Sequence, residues 1–315
     1  MPDKQLSNDE LARLHPDWDV DKVASKTGIY KRFIASEDET AVDLGIAAGA
    51  KLLAEYDLKS EDIDSLIFVT QSPDYALPTS ACIIQNELGL RRDILAFDIN
   101  LGCSGFVNSL SVASGLIATG SAQNCLLICA ETYSKYIHPE DRTNKMIFSD
   151  AGAACFIETD ATNGSQCGNF VFGSDGSGGQ DLIVKGSGAR HLKEDEDNHL
   201  FMHGSNVLMF TMREIPLAVE NCLKQASLTI DDVDLFVFHQ ASNLVLDTLT
   251  AKLQLAPEKV FNNLGQLGNT VSCTIPIALK GAIDSGDISS GKTVMLVGFG
   301  VGLSWGACLV KWGAT

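Results

Sequence analysis

Leu58–Ser72 reads LKSEDIDSLIFVTQS and Leu228–Ser242 reads LTIDDVDLFVFHQAS. Each stretch runs through a helix end, an acidic turn, a short apolar strand and a polar strand end. Two further matches follow in register. Leu101-Gly102-Cys103 matches Leu267-Gly268-Asn269, and in each copy a glycine (Gly120, Gly286) stands 17 residues after Cys103 or Asn269. Each copy then reaches an apolar strand, Cys125 to Ala130 and Thr293 to Phe299. A duplicated unit of strands alternating with helices implies an α/β fold with pseudo-twofold symmetry. The polar run Thr159 to Gly168 (TDATNGSQCG) is the natural join, dividing the chain into halves 1–165 and 166–315. Ser174 to Asn198 opens Gly-rich and closes on the acidic KEDEDN, which reads as a surface excursion over part of a site.

The repeat also has a chemical consequence. Ligand sites in α/β proteins gather where strand C-termini meet loops. Cys103 and Asn269 occupy equivalent turns, and His239 ends the strand Leu235 to Phe238, so the three are expected to converge. In DINLGCSGF (98–106) the apolar run Ile94 to Ile99, expected to be a buried strand, leads into a glycine-flanked turn, and a buried helix of small and apolar residues follows to Thr119. That order sets a thiol at a helix N-terminus. There unpaired backbone N–H groups and the helix dipole favour a thiolate and can hold an oxyanion. Cysteine is more often a small buried hydrophobe, but Gly102 and Gly105 permit the tight turn a nucleophile needs. His15, His138, His191, His199 and His203 lie in polar or irregular contexts and are assigned no catalysis.

Composition narrows the function classes. The 315 residues are 45% hydrophobic, enough for a large globular enzyme. The net charge of -17 argues against binding nucleic acid or an anionic membrane surface. The nine cysteines lie mostly in apolar runs and read as reduced residues of a cytoplasmic protein. Cys125 and Cys129 have no second pair or nearby histidine, so no metal site is expected there. The N-terminal MPDKQLSNDE lacks the apolar core of a signal peptide, and no membrane span is expected. The run Gly298 to Gly306 lacks the helix and acidic residue of a dinucleotide loop, and fits a tight strand-to-strand turn.

At this point a resemblance becomes specific. TGIYKRFIASEDET (27–40), ALPTSACIIQNELG (76–89), DINLGCSGFVNSL (98–110), DRTNKMIFSDAGAA (141–154), FHQAS (238–242), LGNTVSCTIPIAL (267–279) and GFGVGLSWGACLV (298–310) are similar to the β-ketoacyl-acyl-carrier-protein synthase III family of the thiolase-like superfamily. The resemblance implies a duplicated five-layer α-β-α-β-α arrangement. It implies an acyltransferase in which Cys103 accepts an acyl group from acyl-CoA or an acyl-carrier protein. Decarboxylative condensation with malonyl-carrier protein would follow. His239 and Asn269 would donate hydrogen bonds to the malonyl thioester carbonyl, and the backbone N–H groups of Cys103 and Val301 would form the acyl oxyanion hole. Arg142, Leu77, Gly204 and Gly300 stand at substrate-binding positions. The resemblance implies CoA or phosphopantetheine thioesters as substrates, no metal or redox cofactor, and a homodimer with a sheet continuous across the interface, to which Ala76 to Leu90 contributes.

Several positions depart from the family pattern. Ser242 stands where Asn is frequent, Leu244 replaces a carrier-docking arginine, and Met209 replaces a basic residue. Lys22 stands in place of an aromatic that can stack on adenine, and Leu77 replaces an aromatic at the mouth of the partner's acyl pocket. A basic patch for the carrier would come from Arg142, Arg213 or Lys252. Intact chemistry with altered recognition surfaces predicts a specialised synthase rather than one for bulk fatty acid initiation. Two other readings stay open: an acyltransferase passing the Cys103 acyl group to a hydroxyl or amine, and a non-catalytic partner subunit.

Overall fold

A computed structural model of the protein describes residues 1–159, 166–190 and 197–313. The expected join at 165, His191 and part of the acidic excursion lie outside these residues. The strands that build the two main sheets are β1 Ser65–Val69, β2 Leu95–Ile99, β3 Asn124–Glu131, β4 Ala151–Glu158, β5 Cys167–Ser174, β6 Leu235–Phe238, β7 Thr293–Gly300 and β8 Ser304–Lys311. The principal helices are α1 Ala41–Glu55, α2 Ser80–Glu87, α3 Gly105–Ala118, α4 Gly204–Ala226, α5 Asn243–Lys252 and α6 Thr274–Asp284.

One sheet has the order β2-β1-β3-β4 and the other β6-β7-β8-β5. β1 pairs with β3 in parallel and β3 with β4 antiparallel; β6, β7 and β8 repeat that pattern. The duplication read from the two quoted stretches is therefore a duplication of strand pairing.

The layers follow from strand periodicity, because successive side chains point to opposite faces. Leu66, Phe68, Leu126 and Ile128 face outward onto α1 and α2 through Val42, Leu44, Ala81 and Ile84. Ile67, Val69, Leu127 and Cys129 face inward. Across from them, Leu235, Val237, Val294, Leu296 and Cys308 of the second sheet also face inward. Between the two sheets lie α3 and α6, contributing Phe106, Val107, Leu110, Ile275, Ala278 and Ala282. The opposite face of the second sheet, with Phe236, Phe238, Met295 and Val297, packs on α4 and α5. The result is α-β-α-β-α. Strands covered on both faces read as near-continuous apolar runs, as SLIFV and LFVF do.

One expectation changes. The run before the cysteine turn is not fully buried: β2 is an edge strand, and Leu95 is 45% exposed. Its run from Ile94 to Phe97 is as apolar as the inner strands, so the run alone does not distinguish the two settings. Among the described residues no helix is long and apolar enough to cross a membrane.

Candidate active site

Cys103 sits in the turn between β2 and α3, and is buried to 6% exposure. The other half of the chain closes over it. A Cβ placed on Gly300 would lie 2.7 Å from the Cys103 Cβ and 2.9 Å from its Sγ. One placed on Gly298 would lie 2.7 Å from the Cys103 carbonyl oxygen. These glycines are needed because the end of β7 runs against the nucleophile turn. The Ser104 and Ser304 hydroxyls, 2.8 Å apart, join the same two segments.

His239 continues β6, its N–H donating to the Val297 carbonyl at 2.8 Å. Asn269 is held by two backbone hydrogen bonds to the opposite half, its N–H to the Ile147 carbonyl at 3.0 Å and its carbonyl from the Ser149 N–H at 2.9 Å. Both side chains are then fixed by one residue, Val271. Its N–H donates to Asn269 Oδ1 at 2.9 Å, so Asn269 Nδ2 points to His239 Nε2, 3.5 Å away. Its carbonyl accepts from the Thr274 hydroxyl at 2.9 Å. That hydroxyl has a single proton, so its contact with His239 Nδ1 at 2.7 Å runs from Nδ1–H to oxygen. His239 is therefore the Nδ1–H tautomer, with Nε2 carrying a lone pair. Val271 holds this position at φ 55°, a left-handed conformation that is rare and strained for a β-branched residue. Both of its backbone polar groups bind the side chains that orient the site.

Electrostatics set the resting protonation. Burial pushes the Cys103 thiol well above its ordinary value, with the Glu131 charge adding to the rise. This corrects the expectation of a thiolate at a helix N-terminus: desolvation outweighs the dipole, which is worth about 0.3–1 kcal/mol in exposed settings. Burial lowers His239 to about 3. The resting site is thus a neutral thiol and a neutral imidazole.

Cys103, His239 and Asn269 line one cavity of about 590 Å3, together with Arg142, Gly204, Gly300 and Val301. Leu182, within the Ser174 to Asn198 excursion, lines it as well, so the described part of the excursion covers part of the site; Met202, just beyond the excursion, also lines it. Leu77 is the exception. It is 82% exposed and outside the cavity of its own chain. At the mouth, Lys22 and Lys26 join Arg142. Arg213 is engaged by Asp175 and Glu214, and Lys252 by the Met212 carbonyl.

The sequence profile of the 3-oxoacyl-[acyl-carrier-protein] synthase III family matches residues 97–176, and that of its C-terminal region matches residues 223–312. A β-ketoacyl-[acyl-carrier-protein] synthase III of Clostridium perfringens is 37% identical over 294 residues, covering 92% of this chain and 90% of the relative. One from Caldanaerobacter subterraneus is 34% identical over 317 residues, covering 99% and 95%. The chain belongs to the synthase III family. A crystal structure of a 3-oxoacyl-(acyl-carrier-protein) synthase III superposes with a TM-score of 0.96 at 41% identity, over 99% of this chain and 97% of that one. The fold is accordingly thiolase-like, and the protein is an acyltransferase-type enzyme.

For this synthase III chain, Gly300 gives a direct test of the packing. No real Cβ approaches a neighbour as closely as 2.7 Å, so Gly300→Ala must displace Cys103. A 1 Å misplacement of a reacting group costs about 100-fold in rate. Acyl-adduct formation is expected to fall by about that factor, with the melting temperature lowered by only a few degrees because overpacking a buried site costs about 1–3 kcal/mol, checked by timed mass spectrometry and calorimetry. Sequence reasoning missed Thr274 and Val271. The available signal was Thr274 at the start of the helix after Asn269, where a hydroxyl faces back into the turn.

Proposed function

We propose that the protein is a β-ketoacyl-acyl-carrier-protein synthase III in which Cys103 carries the acyl group and His239 and Asn269 manage the malonyl thioester. The observation that carries this is one cavity bringing together a buried thiol, an imidazole with a bare Nε2 and an amide N–H aimed at that nitrogen.

In the acyl-transfer half, His239 Nε2 takes the Cys103 proton as sulfur attacks the thioester carbonyl. The backbone N–H groups of Cys103 and Val301 receive the oxyanion. The donor's C–S bond breaks, and the departing thiolate takes the proton from Nε2, leaving His239 neutral. In the condensing half, the malonyl carboxylate brings a negative charge that favours uptake of one proton from solvent onto His239 Nε2, giving an imidazolium. His239 Nε2–H and Asn269 Nδ2–H then hold the thioester oxygen while CO2 leaves. The enolate attacks the acyl-cysteine, and the released Cys103 sulfur takes the imidazolium proton. The N–H donor expected of His239 is thus acquired during turnover rather than present at rest. Thioesters alone supply this chemistry, with no metal or redox group.

Arg142, with Lys22 and Lys26 beside it, is read as the basic lip that receives CoA or the carrier's phosphopantetheine. Gly204 and Gly300 line the path below it. The halves 1–165 and 166–315 belong to the same reading. A homodimer is supported by the edge strand β2, which pairs with β1 on one side only, and by Leu77, whose exposure suits a role at the partner's pocket. A specialised pathway is supported by Leu244 and Met209, 48% and 61% exposed, where the family pattern has basic residues. Nine cysteines without a disulfide suit the cytoplasm.

The test is intact-protein mass spectrometry after incubation with acyl-CoA and acyl-carrier thioesters, followed by malonyl-carrier protein. An acyl mass that disappears on the chase with formation of a β-ketoacyl product is expected. An adduct that resists the chase would overturn condensation in favour of transfer to another acceptor.

A further inference from the structure

Glu131 ends β3 beneath the nucleophile and is fully buried. One carboxylate oxygen, Oε2, gathers three donors from a single turn: the Gln71 N–H at 3.0 Å, the Ser72 hydroxyl at 2.9 Å and the Thr70 hydroxyl at 3.3 Å. The same turn touches the cysteine turn, since a Cβ on Gly102 would lie 2.4 Å from Gln71 Oε1. The other oxygen, Oε1, is buried with no partner. So is the hydroxyl of Ser272, the neighbour that bears on this carboxyl from the other half of the chain. Ser272 directly follows Val271, the residue that holds Asn269 and Thr274. Buried polar atoms are rarely left unpaired, so Oε1 and the Ser272 hydroxyl, neither with another partner, are left to each other. The 271–273 turn is also fixed to β3 directly, the Cys273 thiol donating to the Cys129 carbonyl at 3.1 Å.

We propose that Glu131 is a positioning residue of the condensing site: it ties the 70–72 turn of one half to the 271–273 turn of the other and sets a buried, uncompensated carboxylate beside the Cys103 turn. The titratable groups that feel this carboxyl are Cys103, Cys129, Cys273, Tyr133 and Tyr136, and none is cationic. No opposite charge among the described residues offsets it. Burial raises Glu131 to about 7, so it gains its charge near neutral pH. Above that pH the carboxylate opposes the thiolate; below it the opposition is lifted. The inference rests on Cys103 being the nucleophile of the proposed reaction.

Alkylation of Cys103 by iodoacetamide, followed from pH 6 to 9, reads the thiol without any thioester. Wild type is expected to show a shallow step near pH 7. Glu131→Gln keeps the shape and the acceptor oxygen, and is expected to lose that step and to alkylate faster at pH 8, by about tenfold for one unit of thiol pKa. Glu131→Asp, which keeps the charge, is expected to retain the wild-type profile. Ser272→Ala removes a hydrogen bond that holds the Glu131 pKa down, so it is expected to move the alkylation step to higher pH and to lower kcat for condensation. A Glu131→Gln variant with wild-type melting temperature and an unshifted profile would overturn the charge role. Unchanged condensation in Ser272→Ala would overturn the tie between halves. Normal alkylation without any acyl adduct would instead sink the proposed function and leave this inference standing.

Discussion

Cys103→Ala is expected to eliminate the acyl adduct with every thioester and to reduce condensation to background. The argument is chemical before it is comparative. Among the nine cysteines, Cys103 alone lines the cavity that also holds His239 and Asn269. Cys125, Cys129, Cys273 and Cys308 are shut inside the layers, with thiols pushed up by burial. Removing the sulfur leaves no other thiol lining the cavity. The variant is not expected to lose stability on the scale of a core truncation. It deletes one sulfur against Gly300 and creates at most a small cavity, at about 1 kcal/mol or less. Binding of the thioester is expected to survive, because the mouth residues Arg142, Lys22 and Lys26 are untouched. Mass spectrometry for the adduct and titration calorimetry for acyl-CoA separate the two effects. A persistent adduct would move the acyl group to another residue and sink the assignment.

Much of the fold was legible because a duplicated sequence folds into duplicated pairing. LKSEDIDSLIFVTQS and LTIDDVDLFVFHQAS fix β1 and β6 at the same place in each half, and the two cysteine-like turns fall opposite one another. The convergence of Cys103, His239 and Asn269 was legible for the same reason. Three things were not. The edge position of β2 depends on which strand lies beside it, and an apolar run looks alike in either setting. The protonation of Cys103 depends on how far water is excluded, and helix position alone suggested the opposite sign. The tautomer of His239 depends on a hydroxyl 35 residues away, whose own proton is committed to Val271.

That last dependence yields a pattern of variants rather than a single loss. His239→Ala is expected to depress both halves of the reaction, each by about 1000-fold, because Nε2 is the base for Cys103 and, once protonated, a donor to the thioester oxygen. Asn269→Ala is expected to spare acylation and to slow decarboxylation by about 100-fold or more, the cost of one lost oxyanion donor. Thr274→Val, nearly isosteric, removes the acceptor for Nδ1–H. A buried donor without a partner costs about 1–3 kcal/mol, so the ring is expected to move its proton to Nε2. That tautomer is a donor and no longer a base, and acylation is expected to fall about tenfold to 100-fold while decarboxylation is spared. Thr274→Ser is expected to restore both. The measurements are the single-turnover rate of adduct formation, CO2 release from malonyl-carrier protein, and the nitrogen NMR shifts of His239. Because burial lowers His239 to about 3, its ring stays neutral in the resting enzyme through the neutral pH range, and the NMR signal should report one fixed tautomer there. Observation of Nε2–H in the resting wild type would contradict the hydrogen-bond assignment. Equal slowing of acylation and decarboxylation in Asn269→Ala would contradict the division of labour, since an amide that acts only on the second thioester has no means of delaying the first.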